Sequence, residues 1–67
     1  MIHQGRSYFV PNGSIVMTVL KIQYQNDKYV KFKGILSGKT TGIVFETKNY
    51  KINKEILKSW LDIFYTL

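Results

Sequence analysis

The sequence predicts a mainly β fold: a small SH3-like antiparallel barrel of four to five strands with one C-terminal amphipathic α-helix. Segments rich in Val, Ile, Thr, Tyr and Phe alternate with polar turn signals at short intervals, as in small β domains. The last segment changes to a helical period of three to four residues. The 67 residues leave room for a single domain over 1–67 and none for βαβ crossovers.

Turn signals set the predicted strand ends. The strongest is Pro11-Asn12-Gly13, because Pro fixes φ and Asn-Gly tolerates a tight turn. Further polar breaks follow at 25–28, 37–39 and 48–49. We therefore predict strands over 6–10, 14–24, 29–36 and 40–47, with a short extended piece at 50–52.

Hydrophobic periodicity predicts which side chains face the core. The third strand alternates clearly, with one face formed by Val30, Phe32 and Leu36 and the other by Tyr29, Lys31 and Lys33. The second strand is apolar at both parities, which predicts burial on both sides or a bend across the barrel through a bulge. In the fourth strand Gly42 predicts a kink, and Ile43 and Phe45 are predicted core residues.

The C-terminal segment is predicted to be a helix over 54–65. Asn53 is a favourable N-cap, and Glu55 lies in the first turn, where its charge suits the helix dipole. An apolar stripe at helical spacing follows, formed by Ile56, Leu57, Trp60, Leu61 and Phe64.

Composition argues against several classes of function. The chain has no Cys and one His, which excludes disulfides and the usual zinc sites, so we predict no metal and no cofactor. The four carboxylates are dispersed over a turn, a strand and the helix, so we predict that the protein is not an enzyme. The longest apolar-rich run, 15–20, is far shorter than the roughly 20 residues that span a bilayer. We expect a soluble, cytoplasmic protein without a membrane partner.

Basic charge is the most informative functional signal. Ten Lys and Arg against four Asp and Glu give a net charge of +6, and much of the excess falls on strands and turns. Lysines neutralise phosphates and tyrosine rings stack on bases, so we predict a nucleic-acid-binding face. Lys rather than Arg favours backbone contacts over base readout, while a merely solvated face is the competing interpretation. The predicted binding residues are Lys21, Tyr24, Lys28, Tyr29, Lys31, Lys33 and Lys39.

Three short stretches resemble the archaeal seven-kilodalton chromatin proteins: 28–32 (KYVKF), 38–42 (GKTTG) and 53–57 (NKEIL). The resemblance covers roughly the second half of the chain. It implies a basic SH3-like barrel that binds DNA without sequence specificity, with Tyr24 at the position of the family's Trp and Tyr29 at that of one apolar wedge. Asn26 replaces the other wedge, and Gly42 or Ile43 stands where an Arg is expected. These departures argue against DNA kinking by intercalation. The resemblance itself implies DNA rather than RNA as the partner.

A second class of function uses the same cationic face with a different partner. Small basic proteins of phages and other mobile elements act as adaptors or inhibitors that dock on a host protein or sequester an anionic nucleotide. The chain also carries more apolar side chains than so small a core easily holds, which leaves a homodimer or higher oligomer open. The side chains concerned are Tyr8, Phe9, Tyr50, Phe64, Tyr65 and Leu67.

Overall fold

The computed structural model describes residues 2–11 and 13–63, which form one five-stranded antiparallel sheet and one short helix. The elements in chain order are β1 (Ser7–Val10), β2 (Ile15–Gln25), β3 (Tyr29–Gly38), β4 (Val44–Asn53), α1 (Lys54–Leu57) and β5 (Leu61–Asp62). The strands lie in the order β4-β3-β2-β1-β5, a meander to which β5 is added beside β1. The mainly β prediction is confirmed. Within the described residues β4 and β5 remain separate edges, so the barrel is not closed.

β2 and β3 lie at the centre of the sheet, and two bulges in β2 interrupt the register between them. The register shifts between Val19 and Lys21 and again between Ile22 and Tyr24, so β2 has one extra residue at each place. Backbone groups at the first bulge pair with the N-terminal segment, where the Gly5 amide donates to the Val19 carbonyl at 2.8 Å. Bulges increase local twist, and here they let a strand with apolar residues at both parities curve around a small core.

The core lies on one side of the sheet and beneath α1. Its buried members are Ile2, Tyr8, Met17, Val19, Val30, Phe32 and Leu57. The predicted alternation of β3 is confirmed, because Val30 and Phe32 are buried whereas Lys31 and Lys33 are exposed.

Tyr8 corrects the expectation of surplus aromatic surface. It is only 2% exposed, and its hydroxyl accepts a hydrogen bond from the His3 amide at 2.6 Å. Phe9 and Tyr50 are half-buried. The other side chains of that set, Phe64, Tyr65 and Leu67, lie outside the described residues.

The fourth strand begins and ends later than predicted. β4 runs unbroken through Lys48 and Asn49 to Asn53, so the predicted break at 48–49 is wrong. Ile43 and Phe45 are 60% and 61% exposed and do not belong to the core. Ile43 precedes edge strand β4, and Phe45 is the extra residue where the register with β3 shifts between Glu46 and Val44. Gly42 has a φ of +71°, a conformation that suits glycine at the predicted kink.

The predicted helix over 54–65 is wrong as one continuous element, because α1 ends at Leu57 and Leu61–Asp62 form a strand, while 64 and 65 lie outside the described residues. Asn53 is its N-cap as predicted, accepting a hydrogen bond from the Glu55 amide at 2.8 Å. The Ser59 hydroxyl then donates to the Ile56 carbonyl at 2.7 Å, an acceptor that a continuing helix would give to the Trp60 amide. The Trp60 amide instead donates to Leu57, and the chain leaves the helix.

The residues after α1 pair with β1 instead of extending the helix. Leu61 lies opposite Phe9 and Asp62 opposite Tyr8. The predicted apolar stripe is therefore divided: Leu57 is buried, Ile56 and Leu61 are exposed, Trp60 is half-buried, and Phe64 lies outside the described residues. No helix in the described part of the chain has the length and hydropathy needed to cross a membrane.

Candidate nucleic-acid interface

The sheet surface opposite the core, which we call the outer face, carries two adjacent rows of cationic and aromatic residues. In one row Lys21 of β2 lies directly opposite Lys33 of β3, and Lys33 lies opposite Asn49 of β4. In the next row Tyr24, Lys31 and Lys51 are aligned on the same three strands. The lysines and Tyr24 are all exposed, and Tyr24 retains 52% of its accessible surface.

The second bulge of β2 is what places Lys21 and Tyr24 on one face. Residues three apart in a regular strand point to opposite faces. Gln23 is an extra residue without a partner on β3, so the three residues from Lys21 to Tyr24 match only two residues on β3. Lys21 pairs with Lys33 and Tyr24 pairs with Lys31, and these two β3 residues face the same side. The bulge thereby brings the ring onto the cationic face.

Tyr24 and Tyr29 form an aromatic pair at one end of the outer face. Their ring centroids are 6.2 Å apart and the planes are tilted by 49°. The Lys51 ammonium lies over the Tyr29 ring, 4.2 Å from its centroid, a cation–π geometry. The Gln23 amide donates to the Asn49 side-chain oxygen at 3.0 Å and links β2 to β4 across this surface.

The charged side chains in the two rows of the outer face are all positive. Like charges lie directly opposite each other at Lys21–Lys33 and Lys31–Lys51, an arrangement that disfavours strand pairing. The carboxylates lie elsewhere: Asp27 in the β2–β3 turn, and the others in ion pairs of the described residues. Those pairs are Arg6–Asp62, Lys48–Glu46 and Lys58–Glu55.

Two predicted binding residues lie away from these rows. Lys28 is exposed in the β2–β3 turn, next to the aromatic pair. Lys39 follows the far end of β3, eight positions from Lys31, or roughly 26 Å along an extended strand. Its ammonium lies 4.7 Å from the centroid of the Phe9 ring. The structure thus brings together Lys21, Tyr24, Tyr29, Lys31 and Lys33, keeps Lys28 at their border and separates Lys39.

Lys51 is an outer-face residue that the sequence-based set omits. The predicted break at 48–49 leaves only a short piece at 50–52, too short to show an alternation. In the observed β4 the alternation is continuous, and Asn49, Lys51 and Asn53 all point to the outer face opposite β3. A period of two extended from Thr47 to Asn53 was the signal that would have found it.

Asn26 has a structural role in the turn beside the aromatic pair. Its side-chain oxygen accepts hydrogen bonds from the amides of Lys28 and Tyr29, at 2.8 and 2.9 Å. This Asx-type turn fixes where β3 begins and hence which β3 residues face outward.

A separate charged group lies on the core side of β4. The Lys48 ammonium is 3.1 Å from the Glu46 carboxylate and lies over the Tyr50 ring at 5.4 Å from its centroid. Burial of the hydroxyl raises the pKa of Tyr50, and the negative charge of Glu46 raises it further, against the opposing effect of Lys48. This group is on the opposite side of β4 from Lys51.

The ammonium groups of the outer face can bind anions, and its tyrosine rings can stack on planar groups. Among the described residues there is no cluster of three or more His, Asp or Glu side chains that could hold a metal ion. Searches of protein-family models, curated proteins and solved structures found no significant match to this chain, so the resemblance to chromatin proteins stays a prediction.

Proposed function

We propose that this protein is a non-catalytic, largely sequence-independent nucleic-acid-binding protein that uses the outer face. One observation carries the proposal: among the described residues, Lys21, Lys31, Lys33 and Lys51 occupy paired positions on three adjacent strands, beside an exposed tyrosine, and neither of the two rows contains a carboxylate. In this assignment the lysines contact phosphates and Tyr24 contacts a base.

The like-charge pairs support an anionic partner on physical grounds. Two lysines at directly opposite positions place like charges on neighbouring strands, which disfavours their pairing when no anion is present. A phosphate between them reverses the sign of that interaction. Release of condensed counterions from the nucleic acid adds to the driving force for each lysine that contacts a phosphate.

The residue types support contact with the backbone rather than recognition of sequence. Lysine is a compact point charge on a flexible stem, whereas bidentate readout of guanine is typical of arginine. Within the described residues the outer face of β2–β4 has no arginine. DNA is the first partner to test, because the resemblance to DNA-binding chromatin proteins favours it over RNA.

A charge-matched pair of variants tests the proposal. Lys31→Gln/Lys33→Gln removes two outer-face charges, and Lys39→Gln/Lys58→Gln removes two charges at the far end of β3 and after α1. Anisotropy with a labelled mixed-sequence DNA oligonucleotide at about 50 mM salt should show the first variant binding on the order of 10- to 100-fold more weakly than the wild type.

The second variant is the control, because both proteins have the same net charge. We expect it to retain most of the wild-type affinity. Equal losses in the two variants would mean that net charge alone drives binding, and no binding by the wild type would remove the proposal.

A second candidate function, an adaptor or inhibitor that docks on another protein, is favoured by one apolar segment. Ile43, Val44 and Phe45 are consecutive and each is more than half exposed, at the start of edge strand β4. Such a segment is typical of protein contacts. Two variants distinguish these functions. Docking on a protein through this segment should be lost in Phe45→Ser and retained in Lys31→Gln/Lys33→Gln. Nucleic-acid binding should be retained in Phe45→Ser and weakened in Lys31→Gln/Lys33→Gln.

A further inference from the structure

We infer that the outer face is built for single-stranded rather than duplex nucleic acid, with one base stacked on Tyr24. The inference rests on the proposed function and specifies its ligand. It follows from the accessibility of the two tyrosine rings, the positions of the lysines around Tyr24 and the chemistry of the tyrosine side chain.

Tyr24 is the ring available to a base. Its side chain is 52% exposed. At this position β2 pairs with β3 on one side only, since β1 pairs with β2 at Ile15–Thr18. Tyr29 is half-buried, and the Lys51 ammonium lies over its ring at 4.2 Å from the centroid. The Lys51 ammonium covers the Tyr29 ring, whose plane is tilted by 49° against that of Tyr24. Of the two rings, Tyr24 is therefore the one that a base can contact.

The lysines lie beside that ring on the β3 side and in the neighbouring row, at the spacing of the sheet. Lys31 lies directly opposite Tyr24 on the neighbouring strand, at a strand separation of about 4.8 Å, and Lys51 follows on the next strand. The row that contains Lys21 and Lys33 lies two residues further along β3, at about 7 Å. A strand whose base lies on Tyr24 therefore has ammonium groups within reach of the phosphates on either side of that base.

A duplex uses this arrangement poorly. Its bases are already stacked on each other, so a ring on a protein surface can contact a base face only after a step has been unstacked. Side chains that open such steps are apolar wedges, whereas Tyr24 would carry a hydroxyl at its tip into the base stack. In a single strand the base faces are accessible without that penalty, and a cationic groove with an aromatic platform is the usual means of binding it.

The test compares a single-stranded oligo-dT with a mixed-sequence duplex of the same length, at one salt concentration, for the wild type, Tyr24→Ala and Tyr24→Phe. We expect the wild type to bind the single strand more tightly. Tyr24→Ala should weaken single-strand binding by about 5- to 150-fold and change duplex binding less than twofold, while Tyr24→Phe retains the single-strand affinity. Circular dichroism of each variant controls for folding, which an exposed position should leave intact.

The outcomes separate this inference from the proposed function. If the wild type binds neither probe, the proposed function fails and the inference fails with it. If it binds both probes but prefers the duplex, or if Tyr24→Ala binds the single strand as well as the wild type does, the nucleic-acid function stands and the single-strand assignment is overturned.

Discussion

Gly34 shows how closely individual residues are packed where β3 crosses the core. A Cβ at this position would lie 2.8 Å from the Met17 sulfur, 2.9 Å from a ring carbon of Phe32 and 3.1 Å from the Thr18 carbonyl oxygen. Phe32 is completely buried and Met17 is 3% exposed, so neither side chain has free space into which it can move. Glycine is required here by a close approach and not by an unusual φ.

We predict that Gly34→Ala destabilises the protein by about 1–3 kcal/mol, the range for overpacking of a closed core. Gly13→Ala is the control, since its Cβ would meet only the Ile15 side chain at 3.6 Å, an ordinary contact. Urea denaturation measures both free energies of unfolding. A Gly34→Ala variant as stable as Gly13→Ala would contradict the packing described for β2 and β3.

At the scale of elements, the C-terminal strand depends on contacts that are distant in sequence. β5 has two residues, and its pairing with β1 is accompanied by an ion pair in which the Arg6 guanidinium donates to the Asp62 carboxylate at 3.1 Å. Trp60 packs against Tyr8, with ring centroids 6.4 Å apart. These interactions hold the segment after α1 against the sheet.

A double-mutant cycle on Arg6→Met and Asp62→Asn should measure this attachment. We expect a coupling energy of about 1 kcal/mol, since the two side chains are 33% and 15% exposed. The same cycle on Lys58→Met and Glu55→Gln is the control; this pair is at least 74% exposed and three residues apart, so its coupling should be about 0.3 kcal/mol or less. Equal couplings from thermal or urea unfolding would mean that β5 is not held by its ion pair.

Local sequence patterns predict the features that depend on residues close together in the sequence. The alternation of β3 and the cap at Asn53 follow from short-range rules, and both are confirmed. The helix predicted over 54–65 stops at Leu57 because Ser59 binds the Ile56 carbonyl and Leu61–Asp62 pair with β1, a partner about fifty residues away that a local pattern does not reveal. Periodicity also does not predict the exposure of Ile43 and Phe45, because it identifies apolar residues but not where a strand begins or where its register shifts.

The outer face was predictable in part for the same reason. Lys31 and Lys33 follow from the alternation of one strand. The alignment of Tyr24 with Lys31 depends on a bulge at Gln23, and that of Lys51 depends on pairing across three strands. Charge alone groups Lys39 with them, whereas the direction of β3 places it at the opposite end of the sheet.

Across the whole molecule, positive charge is sorted by face. Ion pairs join the opposite charges on the core side of β4, beside α1 and between the N-terminal segment and β5. The outer face retains four lysines, Lys21, Lys31, Lys33 and Lys51, that belong to none of these ion pairs of the described residues. Lysines at directly opposite positions disfavour strand pairing, whereas a surface that binds a polyanion needs cations gathered on one face.

The salt dependence of DNA binding tests the proposed phosphate contacts most directly. Four phosphate contacts on a single strand predict that log K falls with log salt concentration with a slope of about −2.8, and Lys31→Gln/Lys33→Gln should reduce that slope to about −1.4. The Lys39→Gln/Lys58→Gln variant should keep the wild-type slope. A slope near zero for the wild type, or the same slope for both double variants, would contradict the assignment of these lysines to phosphate contacts.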